Sequence, residues 1–346
     1  MKSIPDGTKI MVTGSQGYIG TEFMKKIHAS GGQIIGIDAG FFQNSKLDIL
    51  LEPKSHRFDL RDQRELNLSG IDIIIHLAAL SNDPIGEIDP NLTFSINRDS
   101  AIGLALKAKK QGVSRFIFVS TQSIYGISNS MTELTENSQK NPITAYAKSK
   151  WQAEQEILGM STENFTTVAV RPSTVFGWGS RIRNDIIFNN MISTGLRKRK
   201  IEVHTDGTPY RPIVHISDVI EFLTLLLTAQ TSIVNGQAYN LGCLNGNYSV
   251  REIAEAASKC LGSIPIEYST ESLSDQRSYR VSFVKAKEDL GFVATKDFEF
   301  GGAEIVNNFQ KLEIADRERY FKDTTRLDTL KRLMELDRIT SNLRWV

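Results

Sequence analysis

Apolar positions in the first half of the chain come in short runs separated by amphipathic stretches. Lys9–Val12 is an apolar run that predicts a strand; a glycine-rich turn follows, and Tyr18–Ala29 has helical periodicity closed by Gly31 and Gly32. Gln33–Ile37 predicts the next strand, ending at Asp38. Ile71–Leu77 and Arg115–Ser120 read as buried strands, with a helix over Asn91–Lys110 between them, and Phe165–Val170 continues the pattern. Strands alternating with helices predict an α/β fold with a Rossmann-type, doubly wound parallel sheet covered on both faces.

The rhythm changes after about Arg171, where Pro172, Gly177, Gly179 and Pro209 break the chain into shorter units. Asp218–Ala229 and Ser249–Cys260 read as helices. Ser217 and Asp218 are candidate caps for the first, and Ser249 with Glu252 forms a capping box for the second. The expected division is a first unit over 1–171, a smaller C-terminal lobe over 172–314 interleaved with the sheet, and a charged helical tail over 315–346. Within Arg317–Asp337, Leu327, Leu330, Leu333 and Met334 fall at helical spacing, which predicts a helix packed on the body. The tail shows no catalytic residue type in a telling arrangement.

Composition narrows the picture further. Of 346 residues, 40% are apolar and 23% charged, as in an ordinary soluble domain. A formal charge of +1 gives no global attraction to nucleic acid or membranes, so any anion must be bound by local groups. Cys243 and Cys260 match no zinc spacing and are too few for a disulfide framework, so reduced thiols and no metal are expected. No apolar run approaches the roughly 20 residues that span a bilayer. Met1–Asp6 is short and polar, unlike a signal peptide, and a cytoplasmic protein is expected.

The first chemical motif is Thr13-Gly14-Ser15-Gln16-Gly17-Tyr18-Ile19-Gly20, placed between a strand and a helix. Gly14 permits the tight turn, Gly17 lets backbone approach a pyrophosphate, and Gly20 lets the helix pack closely on the sheet. The helix N-terminus then offers free N–H groups to the negative charge. Asp38, ending the second strand, can accept hydrogen bonds from both ribose hydroxyls and would repel a 2′-phosphate, which predicts NAD over NADP. Asp59 is a candidate for the adenine amino group, with a turn role as the alternative. In His76-Leu77-Ala78-Ala79 the small residues suit a cofactor crossing the strand end, while His76 reads as a core histidine.

Tyr146 and Lys150 fall four apart on one helix face. A tyrosine of pKa about 10 needs help to act as a base at neutral pH, and both a nearby ammonium and a positive nicotinamide favour the phenolate. Lys150 can also hold the cofactor ribose. Thr121, just past a strand at the carboxyl edge, can bridge a substrate hydroxyl and Tyr146.

Together these motifs resemble the extended short-chain dehydrogenase/reductase family, in its NAD-dependent nucleotide-sugar epimerase/dehydratase branch. The residues that carry the resemblance are Gly14, Gly17 and Gly20, Asp38, Asp59-Leu60, His76-Leu77-Ala78-Ala79, Ser120-Thr121-Gln122-Ser123-Ile124-Tyr125-Gly126, Tyr146 with Lys150, and Arg171-Pro172 through Val175-Phe176-Gly177. With the segments that carry Arg211 and Arg277, the resemblance covers roughly Lys9 to Gln310, and the tail lies outside it. The resemblance implies an NAD-binding domain over 1–171 and a substrate-binding lobe over 172–314. It assigns Gln16, Tyr18, Ile19, Leu60, Leu77, Ala78 and Ala79 to the cofactor site. Tyr146 would be the base, Lys150 its electrostatic helper and Thr121 the hydroxyl partner. Arg211, in Arg211-Pro212-Ile213-Val214-His215, and Arg277, in Gln276-Arg277-Ser278-Tyr279, would clamp the substrate pyrophosphate. Arg181 and Arg183 point to phosphate or sugar, with solvated surface arginines as the alternative; Asn190 takes the place of a nucleotide-contacting asparagine. A homodimer through helices, one bearing Tyr146, is also implied.

The reaction expected from the resemblance begins with oxidation of a sugar hydroxyl at C4. The dehydratases resembled carry an Asp-Glu pair after the threonine, whereas this chain has Gln122-Ser123, and neither titrates usefully near neutral pH. That departure disfavours 4,6-dehydration. Epimerisation through a 4-keto intermediate comes first. Release of the ketone by a 4-dehydrogenase is the alternative, since Ser173–Asp185 and Leu80-Ser81-Asn82-Asp83-Pro84 look like a branch with such members. A non-catalytic NAD-binding sensor is the rival of another class, and retention of both Tyr146 and Lys150 weighs against it.

Overall fold

A computed structural model of the chain describes residues 4–47, 53–86, 89–128, 132–268 and 278–346. Six strands build the first half: β1 (Lys9–Thr13), β2 (Gln33–Asp38), β3 (Ser55–Arg57), β4 (Ile73–His76), β5 (Arg115–Val119) and β6 (Thr166–Pro172). Every residue of β4 and of β5 is buried, with no alternation, because helices cover both faces of the sheet. The second half adds β7 (Thr174–Phe176), β8 (Ile201–Val203), β9 (Tyr210–His215), β10 (Gln237–Leu241), β11 (Asn247–Ser249) and β12 (Ile266–Tyr268).

The main sheet has seven strands in the order β10-β6-β5-β4-β1-β2-β3, all parallel. Strand order reverses at β1, whose neighbours are β2 and β4. In an open parallel sheet the crevice at such a reversal, beyond the carboxyl ends, is where a ligand fits. Register aligns those ends: Thr13 lies opposite Ile37 and His76, His76 opposite Phe118, and Val119 opposite Val170. Strand β10 returns from the second half to extend this sheet, while β11-β9-β7 and β12-β8 form two small sheets of the lobe above the edge.

Helix α1 (Tyr18–Ala29) occupies the range its periodicity predicts. The expected helix over Asn91–Lys110 has finer structure. After the short α2 (Asp83–Gly86) it runs as α3 (Pro90–Phe94), a π-helical turn over Ser95–Asp99, and α4 (Ser100–Lys110). Next come α5 (Ala145–Gly159), α6 (Ile187–Lys198), α7 (Ile216–Thr228), α8 (Thr231–Val234) and α9 (Val250–Cys260), the last opened by the expected capping box of Ser249 and Glu252. The cap of α7 differs from expectation. The His215 ring accepts from the Ser217 N–H, while the Asp218 carboxylate is engaged by the N–H groups of Thr295 and Lys296. After α10 (Val284–Leu290) and α11 (Phe298–Lys311), the tail forms two helices rather than one: α12 (Ile314–Lys322) and α13 (Arg326–Glu335). It packs on the first half, where Leu330, Ile339 and Leu343 join Leu80, Ile85 and Leu92 in one apolar cluster.

Candidate active site

The turn after β1 is built by close approach. Gly14 has φ +70°, and a Cβ there would lie 2.7 Å from the Ala78 nitrogen; a Cβ on Gly20 would fall 2.1 Å from the Gly14 oxygen. No side chain in either position could be accommodated without separating the β1 and β4 ends or lifting α1 off the sheet. Gly17 caps α1 with no side-chain hydrogen bond, and the first turn carries no acidic residue. The amides of that turn are thus left for an anion. Asp38 is fixed by the N–H groups of Gln16 (3.0 Å) and Gly40 (2.7 Å). Burial raises its carboxyl pKa, against these bonds and the charges of Arg181 and Arg326. A glycine cradle, an uncapped helix and a pre-set carboxylate fit the diphosphate and ribose of a dinucleotide.

A cavity of about 770 Å³ starts here and runs along the carboxyl edge to the lobe. Gly14, Gly17, Tyr18, Ile19, Gly20, Asp38, Asp59, Leu60, Leu77, Ala78 and Ala79 line one end of it. Gln16 stands outside the lining and contributes its backbone N–H to Asp38. Tyr18 donates its hydroxyl to the Gly177 carbonyl at 2.6 Å, joining the turn to the lobe. Asp59 serves a turn: it accepts from the Arg61 N–H at 2.9 Å, and its carboxylate pairs with the guanidinium groups of Arg61 and Arg344. Burial works to raise its pKa, but the Arg61 bonds outweigh this and hold it below the ordinary range. His76 is a core histidine as expected, bonded to the Thr13 hydroxyl at 2.9 Å and stacked beside Phe116 and Phe118. Burial pushes its pKa down to about 3, so it is neutral.

Tyr146 and Lys150 project into the same cavity from α5, together with Thr121 from the end of β5. The Thr144 hydroxyl caps α5 by accepting from the Ala147 N–H. Lys150 is buried, 4.3 Å from the centre of the Phe118 ring, and burial brings its pKa down to about 7 against the opposing charge of Glu154. Burial pushes the Tyr146 phenol up to about 12; a hydrogen bond with the Thr121 side chain and the charge of Arg183 work the other way, and Asp83 adds to the rise. Arg183 is thus a cation that favours the phenolate. That guanidinium forks onto Asp185 (3.0 and 2.8 Å) and donates to the Ser81 carbonyl (2.8 Å) and hydroxyl (3.0 Å). Asn82 also bonds Asp185, at 3.0 Å. The segments 80–84 and 173–185, remote in sequence, are thus one structure beside the base.

Gln122 and Ser123 line the cavity next to Thr121. The Gln122 amide nitrogen is committed to the carbonyls of Arg171 (2.9 Å) and Leu241 (3.3 Å), and Ser123 donates its N–H to the Thr121 hydroxyl at 3.1 Å. Asn190 and Arg211 line the far end. Arg277 lies outside the described residues. Arg181 departs from expectation: it is absent from the lining, is 2% exposed, and donates to the Thr21 hydroxyl on α1 at 2.9 Å. Its guanidinium braces α1 through the Thr21 hydroxyl.

Several residues that shape the site escaped the sequence reading. Asn97, buried in the π-turn, holds the Leu80 backbone at both its N–H (2.8 Å) and its carbonyl (3.2 Å). Phe41, Phe42 and Tyr279 line the cavity, as does Arg326 from the tail. None has a local signal: the sequence reads as one continuous helix across Asn97, and the other residues reach the site through long-range contacts.

A dinucleotide cradle at a strand-order reversal, facing a Tyr/Lys helix and a threonine, defines a short-chain dehydrogenase/reductase of the extended type. Residues 10–242 match the NAD dependent epimerase/dehydratase family, and the chain belongs to it. Its cofactor is NAD, and it is an enzyme of the nucleotide-sugar branch of that family. Among its relatives, UDP-glucuronic acid decarboxylase 1 of Arabidopsis thaliana is 27% identical over 318 residues, covering 87% of this chain and 70% of the relative. UDP-glucose 4-epimerase of Lactobacillus helveticus is 26% identical, covering 82% and 91%. The structure of MoeE5 in complex with UDP-glucose and NAD has a TM-score of 0.75 at 25% identity, covering 88% and 99%.

Proposed function

We propose that the enzyme oxidises a nucleotide-sugar at C4 and acts as an epimerase through a 4-keto intermediate. The observation that carries this reading is the convergence of Thr121, Tyr146 and Lys150 in one cavity whose neighbouring positions hold Gln122 and Ser123 instead of acids. NAD held by the Gly14–Gly20 turn and Asp38 would supply a reversible hydride acceptor for the sugar carbon. Tyr146 removes the hydroxyl proton, and Thr121 orients that hydroxyl. Lys150, buried beneath the base, holds positive charge and a cofactor ribose. Gln122, its amide nitrogen tied to backbone carbonyls, has no proton to give a leaving hydroxyl. The C6 oxygen therefore stays, and inversion needs only rotation of the ketone before hydride returns. Arg211 and Asn190 hold the nucleotide diphosphate at the far end of the cavity, and Ser81 and Arg183 border the sugar; the resemblance gives Arg277 the same diphosphate-binding role as Arg211. The protein works as a cytoplasmic homodimer with α5 at the interface.

UDP-glucose 4-epimerase and a structure holding UDP-glucose among the relatives supply the first substrates to try. Incubation with a panel of nucleotide-sugars, with NAD catalytic in one arm and in excess in another, read by mass and NMR, should give in both arms a product of unchanged mass inverted at C4. A stoichiometric ketone with accumulating NADH would replace this reading by the 4-dehydrogenase. A product lighter by one water or by carbon dioxide would refute it.

A further inference from the structure

Arg326 opens α13, outside the residues matching the family, yet its side chain reaches the cavity. It is 2% exposed. It donates to the Ser45 hydroxyl at 2.8 Å and to the Arg181 carbonyl at 2.9 Å, and its guanidinium lies 4.4 Å from the centre of the Phe42 ring. Among the described residues no carboxylate stands within ion-pairing distance of it. A buried guanidinium that meets only neutral acceptors has been desolvated without a counter-charge, which is costly. Its neighbours do not cancel it either. Arg181, Arg183, Asp38 and Asp185 all act on it electrostatically, two positive against two negative, and Arg183 and Asp185 are already paired. Its pKa falls to about 9 through burial, with Arg183 and Arg181 adding to the fall. The missing partner is an anion in the cavity.

The position names the anion. Asp38 marks the adenosine ribose and the Arg183–Asp185 pair borders the sugar, and the guanidinium feels both carboxylates. Between the adenosine ribose of bound NAD and the substrate sugar lie the cofactor's diphosphate and its nicotinamide riboside, and of these only the diphosphate is an anion. The rest of the tail is fastened to the adenosine end: Trp345 donates to the Ala39 carbonyl at 2.6 Å and stacks on Phe41, and Arg61 donates to the carbonyls of Asn342 and Leu343. We propose that Arg326 is a ligand of the NAD diphosphate, so that the segment 326–346 forms one wall of the cofactor site. This rests on the NAD-dependent reading of the cavity and adds a cofactor-binding residue to it.

The test uses the full chain stripped of cofactor. Arg326→Gln should weaken NAD and ADP-ribose by about ten- to hundredfold, the scale of one charge-assisted hydrogen bond. Adenosine, which lacks the diphosphate, and UDP, which carries that of the substrate, should bind as in the wild type. Arg326→Lys should recover part of the loss. Unchanged NAD affinity in a folded Gln variant overturns the proposal, as does a loss confined to UDP. Should the variants fail to fold, hydrogen exchange on the wild type decides: peptides covering 320–346 should gain protection with NAD or ADP-ribose and not with UDP, and no gain with NAD overturns it. A wild type that binds no NAD would instead refute the cofactor reading itself.

Discussion

Gly86 and Tyr146 are in direct contact: a Cβ added to Gly86 would lie 3.0 Å from the Tyr146 Cβ and 3.3 Å from its backbone nitrogen. Helix α2 can rest on the start of α5 only because this position is bare. Gly86→Val should push the tyrosine off its line to the substrate. A displacement approaching an ångström can cost about 10²-fold in rate, so kcat should fall on that scale while NAD affinity stays near wild type. Unaltered kcat in a folded variant would show that α2 does not set the position of the base.

Tyr146→Phe keeps the ring and its packing and removes the oxygen. Turnover should drop by about 10²–10⁴-fold, the usual contribution of a positioned base, with folding and cofactor binding preserved. Thr121→Ser should be mild and Thr121→Val severe, since the hydroxyl alone is needed. Steady-state kinetics alongside thermal unfolding separates these losses from misfolding.

Lys150 links stability to pH. Folding lowers its pKa from 10.5 to about 7 by burial. Between those values the unfolded chain binds more protons than the folded one, so stability should rise with pH across the window. Lys140, lowered to about 8 by burial, acts in the same direction. In cofactor-free protein, Lys150→Met should raise Tm at pH near 6, where the wild type carries a buried charge, and flatten the rise toward pH 9. Parallel Tm profiles for the two proteins would contradict this.

Asp38 should set cofactor choice. Its carboxylate is held by two backbone N–H groups, so its orientation does not depend on the ligand. NAD should bind tighter than NADP, and Asp38→Ala should lose about tenfold or more in NAD affinity, the scale of hydrogen bonds to a charged group. The gap between the cofactors should narrow accordingly. Equal binding of both by the wild type would remove the role assigned to this residue.

The sheet was readable because its signal is local. Glycine-bounded apolar runs and the helical period over Tyr18–Ala29 each lie within a few residues. Lys150 four residues after Tyr146 was readable for the same reason. Arg181 and Arg326 were not: the sequence shows two arginines in polar surroundings, and only the fold decides that one braces α1 while the other reaches the cavity. Asp218 looked like a cap because it begins a helix, but its partners Thr295 and Lys296 arrive from far along the chain. The tail read as one helix because its periodic apolar residues, Leu327, Leu330, Leu333 and Met334, all lie in α13 and carry no sign of the break at Asp323–Thr325, where Thr324 is turned inward and bonds Asn184.

The π-turn over Ser95–Asp99 can be seen as a one-residue insertion retained in a helix. Deleting a single residue there would let α3 and α4 fuse into a regular helix, which by itself should not harm the fold. Everything N-terminal to the deletion would then turn by about 100° relative to α4. The Asn97 carboxamide would leave the Leu80 backbone, and the loop that meets Arg183 would lose its anchor. Conservative substitutions elsewhere on these helices should be accepted, but a change of length should not: in this stretch the enzyme should tolerate spelling changes and not a dropped letter.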